Sequence, residues 1–113
     1  MASVNKVILV GNCGRDPEIR YLPSGQAVAN VSVATSSRRK DKNTGETVED
    51  TQWHTVVIWG KLAGIAEKYL KKGNEVAVEG KLVHRIYETN GGEKRFITEV
   101  NVNDMVLLGS KKE

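Results

Sequence analysis

The sequence predicts a mainly β chain in which five antiparallel strands close into one Greek-key barrel, with a single helix between the third and fourth strands. Three observations carry this. Stretches of β-branched and alternating apolar residues recur along the chain, each bounded by Gly, Pro, Asn or Asp. Only one segment, Leu62 to Leu70, spaces its apolar residues as one face of a helix. The 113 residues suffice for one core, and their single cysteine rules out an internal disulfide.

The first strand covers residues 4–10 and ends in Gly11-Asn12-Cys13-Gly14, where the glycines permit a bulge or sharp bend. Its run Val7-Ile8-Leu9-Val10 does not alternate. One face of an antiparallel strand normally meets water, so four consecutive apolar residues imply that the outer face is covered as well, most simply by a second subunit. Asp16-Pro17 then turns the chain, residues 18–21 form a short extended piece, and Pro23-Ser24-Gly25 makes a second turn. The second strand spans 27–36. Residues 37–50 read as a long charged loop with Asn43-Thr44-Gly45 at its tip. Its near limb sets Arg38, Arg39, Lys40 and Lys42 against Asp41, and its far limb is acidic.

The third strand, residues 51–60, holds both tryptophans. Alternation puts Trp53, Thr55, Val57 and Trp59 on one face and His54, Val56 and Ile58 on the other. A lone tryptophan is more often a core residue. Here Val56 and Ile58 already supply the core from the opposite face, which leaves two indoles anchored roughly 20 Å apart on the outside. Flat aromatics spaced along a sheet are what successive unstacked bases require.

In the helical segment Leu62, Ile65, Ala66, Tyr69 and Leu70 share a face, so Tyr69 reads as core; Lys71 and Lys72 suit the negative end, and Gly73 reads as the C-terminal cap. The fourth strand, 75–87, puts Val76, Val78, Leu82 and Ile86 on its apolar face and Lys81, Arg85 and Tyr87 on its polar one, with Gly80 at a bend. Asn90-Gly91-Gly92 closes a hairpin, and the fifth strand turns Phe96, Thr98, Val100 and Val102 inward. The expected domain is 1–108, followed by a short polar tail at 109–113.

A net charge of +3 and a pI near 9.1 fit a polyanionic partner without requiring one. No apolar run reaches the roughly 18 residues of a membrane span, and the N-terminus lacks a signal-peptide core, so the expected compartment is the cytoplasm. Nothing points to an enzyme, a metal or a cofactor. His54 and His84 have no nearby cysteine or carboxylate constellation in sequence, and Gly11 to Gly14 lacks the lysine and helix of a phosphate loop.

The element order is that of an OB-fold, whose second and third strands and adjoining loops bind oligonucleotides. Trp53, Trp59, the basic limb, Arg85 and Tyr87 all fall on those elements or beside them. The ordered set Val4-Asn5-Lys6-Val7-Ile8-Leu9-Val10-Gly11-Asn12, Asp16-Pro17-Glu18, Arg20-Tyr21, Gly25, Ala29-Asn30, Thr51 to His54 and Tyr69-Leu70-Lys71-Lys72-Gly73 resembles the DNA-binding domain of bacterial single-stranded DNA-binding proteins over residues 3 to about 108.

The resemblance implies a homotetramer that coats single-stranded DNA, with little sequence preference, during replication, recombination and repair at the nucleoid. By position it implies stacking by Trp53, Trp59 and Tyr87, and by Arg39, which stands where many members carry tryptophan. Arg20, Lys42, Lys61, Lys72 and Arg85 match basic positions along the DNA path, and Arg38 and Lys40 add phosphate contacts from the loop. Thr55, Val83 and Ile86 stand where basic residues are common, which lightens the expected electrostatic footprint. The subunit interface is expected at Val7, Ile8, Leu9, Val10 and His54. Family members usually carry an acidic tip that recruits replication and repair proteins, whereas this sequence ends in Ser110-Lys111-Lys112-Glu113, as a core fragment or a short relative would; replication and repair proteins remain candidate partners without that device. The alternative is a dimeric OB-fold adaptor of the replication-restart type, binding DNA and proteins; three aromatics on binding elements favour the coating protein.

Overall fold

The computed structural model describes residues 2–110. Six strands and one helix follow in the order β1 (Val7–Cys13), β2 (Glu18–Tyr21), β3 (Ala27–Lys40), β4 (Thr47–Trp59), α1 (Gly60–Tyr69), β5 (Asn74–Glu88) and β6 (Lys94–Ser110). The sheet runs β1-β5-β6-β4-β3-β2, and β1 closes it by pairing Asn12 with Ala34 and Cys13 with Val33 of β3. The five barrel strands are β1, β3, β4, β5 and β6, with α1 between the third and fourth of them: an OB-fold. β2, the short extended piece of the sequence, is added to β3 outside the barrel. One pair departs from the antiparallel expectation: β4 and β6 run parallel and meet only at Val56–Val100 and Val57–Asn101.

Alternation explains the core. Ala29, Val31 and Val33 of β3, Val56 and Ile58 of β4, Val76 and Val78 of β5, and Val100 and Val102 of β6 are buried together, with Ala63, Ala66 and Leu70 closing one end. Each large aliphatic chain so buried is worth about 1.5–3 kcal/mol. At Gly80, where the β5–β6 register shifts, an added Cβ would run into the backbone carbonyl oxygen of Asn101. Only glycine lets the strands approach so closely there.

Several boundaries differ from the sequence expectation, each for a physical reason. Residues 37–50 are mostly strand: β3 and β4 stay paired out to Lys40–Thr47, and the turn is confined to 41–46. Arg38 faces Glu49 across this ladder, and the Arg39 guanidinium reaches Asp50, so the basic and acidic limbs are the two sides of a charge-matched ribbon. Helix α1 ends at Tyr69, where the Leu70 N–H donates to the Ala66 carbonyl; Gly73, at φ +89°, shapes the next turn instead of capping the helix. The helix meets the core along the narrow stripe Ala63, Ala66 and Leu70, which leaves Ile65 and Tyr69 outside, Tyr69 at 59% exposure. Leu82, Ile86 and Phe96, expected inside, are exposed because β5 and β6 continue past the barrel as a free ribbon. β6 also runs on through Gly109 and Ser110 into the expected tail, while 111–113 lie outside the described residues.

Two hairpin arms, 36–51 and 81–98, therefore leave the barrel. They raise the radius of gyration to 16.5 Å, against about 13 Å for a compact chain of this length.

Candidate nucleic-acid interface

Residues paired across a ladder share a face, so the register assembles the site. On β4 and β3 the outer pairs are Trp53–Ala34, Thr55–Ser32, Val57–Asn30 and Trp59–Val28. β2 adds Arg20 opposite Val28. β6 adds Asn101 opposite Val57, and the β5–β6 ladder continues the same face through Lys81, Val83, Arg85 and Tyr87. One outer surface thus carries Trp53, Trp59, Arg20, Arg85 and Tyr87. Trp53 is 62% exposed and Trp59 39%, and Tyr87 is exposed as well. The inner face of β4 buries Val56 and Ile58, as alternation requires.

Trp53 is seated by a residue that the sequence marks only as a bend. A Cβ at Gly14 would run into the six-membered ring of the indole, and the Gly14 N–H is tied at 2.8 Å to the Ser32 carbonyl of β3. The ring lies across the bare backbone of Gly14, next to the pairs that close the barrel.

The Arg85 Nε donates to Glu99 Oε1 at 2.8 Å, and its guanidinium carbon stands 5.9 Å from the centre of the Tyr87 ring, at the outer limit of a cation–π contact. Beside this pair, Arg20, Asn30, Val57, Trp59, Glu99 and Asn101 line a cleft of about 310 Å³. Glu99 also lines a second cleft with Trp53, Thr55 and Thr98. Both clefts open where β4 and β6 diverge beyond their two paired residues.

The remaining expected site residues are distributed unevenly. Alternation along β3 keeps Arg38 and Lys40 on the face of Ala34 and so on the tryptophan row, but assigns Arg39 to the opposite face, where it pairs with Asp50 at 3.1 Å. Arg39 and the tryptophans are not brought together. Lys42 sits at the tip of the first arm. Lys61 lines a shallow groove along α1 with Ile65 and Tyr69, and Lys72 lies in the turn after the helix, its backbone N–H held by Asp16 Oδ1 at 2.9 Å. No ladder carries either lysine onto the tryptophan face.

The expected interface residues also divide. Val7 and Leu9 pack against the barrel's own core, whereas Ile8 and Val10 are exposed. His54 faces inward, half-buried, with Nε2 2.8 Å from the Thr35 hydroxyl oxygen. Cys13 is buried, its thiol donating to the Arg15 carbonyl, and burial pushes the thiol above its ordinary pKa. Gly14, Glu99 and Asn101 escaped the sequence reading. The signal for Glu99 was its position: an acid on a strand next to Val100, at the same parity as Asn101.

A five-stranded barrel that presents spaced indoles and guanidinium groups on one face belongs to the class of oligonucleotide-binding barrels. Comparison with known proteins narrows the class. The chain belongs to the Single-strand binding protein family, whose profile matches residues 4–108. Among solved structures it is similar to a chain of the Plasmodium falciparum SSB complex with ssDNA, at 35% identity and a TM-score of 0.87, over 96% of this chain and 97% of that one.

Proposed function

We propose that this chain binds and coats single-stranded DNA with little sequence preference, stacking bases on Trp53, Trp59 and Tyr87 and pairing phosphates with Arg20, Arg38, Lys40 and Arg85. The observation that carries the reading is the exposure of both indoles on one face, in register with Arg20 and Arg85. Flat aromatics can reach bases only where these are not already stacked in a duplex. The family and the neighbour's complex with single-stranded DNA support the same partner. The cellular role that follows is protection of exposed strands in replication, recombination and repair, in the cytoplasm and at the nucleoid. Among the described residues no helix is long and apolar enough to cross a membrane.

Assembly as a homotetramer belongs to this proposal. β1 pairs with β3 only at Asn12 and Cys13, so the edge of Val7 to Val10 carries no ladder to β3, and Ile8 and Val10 are exposed on its outer face together with Val106. An unpaired strand edge beside an apolar face is suited to a symmetric subunit contact. Light scattering reads the mass, and a monomer at micromolar concentration contradicts it.

Titration with a thymidine oligonucleotide tests the binding. Tryptophan emission should be quenched, duplex should bind far more weakly, and the log–log salt slope should be clearly negative, at about −0.7 per phosphate neutralised. Equal affinity for duplex, or binding indifferent to salt, contradicts the reading.

A further inference from the structure

Arg85 is held differently from the other paired cations among the described residues. Six ion pairs form there, and in five of them the carboxylate side chain is 41–68% exposed, where water and salt weaken its hold. The sixth joins Arg85 Nε to Glu99 Oε1 at 2.8 Å, and the Glu99 side chain is only 6% exposed. The ladder explains the contact. Arg85 stands opposite Ile97, so Glu99, two residues further along β6, is its diagonal neighbour on the same face.

Stability is a poor reason for this pair. Taking two charges out of water costs about as much as their attraction returns, and Glu99 is only half paired, its Oε2 shielded from solvent without a hydrogen-bond partner. Orientation is a better one. The bond is made by Nε, so the two Nη groups at the end of the fork keep their N–H donors. The Arg85 side chain is half exposed and lines one cleft with Arg20, Asn30 and Trp59, while Arg20 forms no ion pair among the described residues.

We propose that Glu99 is a positioning residue for strand binding: from beneath the surface it fixes the Arg85 guanidinium at the wall of this cleft, where Arg85 and Arg20 take a phosphate of the strand stacked at Trp59. A long side chain that moves freely must be immobilised at each contact it makes, and Arg85 is immobilised before the strand arrives. The inference rests on the single-strand reading and adds to it a residue that touches no DNA.

Charge alone and positioning predict opposite signs for the loss of Glu99. Removing a carboxylate beside a phosphate should strengthen binding by charge, whereas releasing Arg85 should weaken it. Titration of the full chain with a thymidine oligonucleotide over a range of salt separates the two. Glu99→Ala should bind about three- to tenfold more weakly, with the log–log slope shallower by up to about 0.7, the share of one phosphate. Glu99→Gln, whose side-chain oxygen still accepts from Nε, should bind at least as tightly as the wild type with a slope no shallower. In an Arg85→Ala background, Glu99→Ala should weaken binding no further. Should Glu99→Ala fail to fold, Glu99→Leu, which fills the space with an apolar chain, carries the same expectations. Undiminished binding by the folded alanine or leucine variant overturns the positioning role, as does a Glu99→Gln protein equally weak. A loss that leaves the slope at its wild-type value also overturns it, since lost folding alone removes no phosphate contact. Failure of the wild type to bind any strand removes the single-strand reading itself, whereas tight binding indifferent to Glu99 removes only the positioning role.

Discussion

The barrel and the two arms are built from the same strands and obey different rules. In β3, Val28 to Val33 are mostly buried, and from Ser36 onward every residue to Lys40 is exposed; β5 changes in the same way after Gly80. Ile58, in the barrel half of β4, is fully buried, and Ile86, in the arm half of β5, is 60% exposed. The barrel is held by apolar burial, whereas the arms are held by ladder hydrogen bonds and exposed ion pairs such as Arg39–Asp50. The contrast teaches where a chain of this size can place function. Trp53 stands at the root of one arm and Tyr87 toward the end of the other, so the aromatic face runs from the barrel onto a ribbon with no core beneath it.

Matched substitutions can break that comparison. Ile58→Ala should cost about 2–5 kcal/mol of folding stability in a urea titration, the usual range for truncating a fully buried aliphatic chain. Ile86→Ala should stay within about 0.5 kcal/mol, as exposed positions do. Similar losses at the two sites would mean that the second arm is packed against something in solution and that the division is wrong.

Gly14→Ala sharpens the comparison at the boundary. The Gly14 φ lies outside the left-handed region, so the backbone accepts alanine, and the resistance comes from the Trp53 ring. Displacing that ring should weaken single-strand binding by about 1 kcal/mol, at the lower end of the worth of one stacked base, with its emission maximum shifted. Unchanged emission and affinity would show that the ring does not need its seat.

Arg39→Ala should have the smallest effect. Its exposed pair with Asp50 is worth about 0.2–1 kcal/mol of stability, and its removal should leave both the salt slope and the quench unchanged, since on its face it neutralises no phosphate. A loss as large as that of a tryptophan variant would put the guanidinium on the stacking face, contrary to its register.

What was legible in the sequence follows from the same division. Wherever burial imposes period two, as at Val31 and Val33 of β3 or Val76 and Val78 of β5, the residues declare their faces. The barrel order and the outward indoles were readable on that basis. The arms were not, because with no core beneath them apolar and charged residues are equally free: Leu82, Ile86 and Phe96 imitate a core pattern, while the first arm imitates a loop. The charge match of Arg38 and Arg39 with Glu49 and Asp50 was the available clue to its pairing. Tyr69 was misplaced because helical spacing finds an apolar face but does not fix how wide a stripe the sheet covers. The seat at Gly14 could not be read, since it exists only once strands distant in sequence meet, and Glu99 offered only its parity with Asn101.

The central claim is that the outward indoles hold bases. Its most direct test is the affinity and salt slope of Trp53→Ala and Trp59→Ala for a thymidine oligonucleotide. Each variant should lose about 1–3 kcal/mol of binding with the slope nearly unchanged, since a lost stack releases no counterions. Variants that fold and bind as tightly as the wild type, or whose losses come with a reduced slope, would contradict the claim.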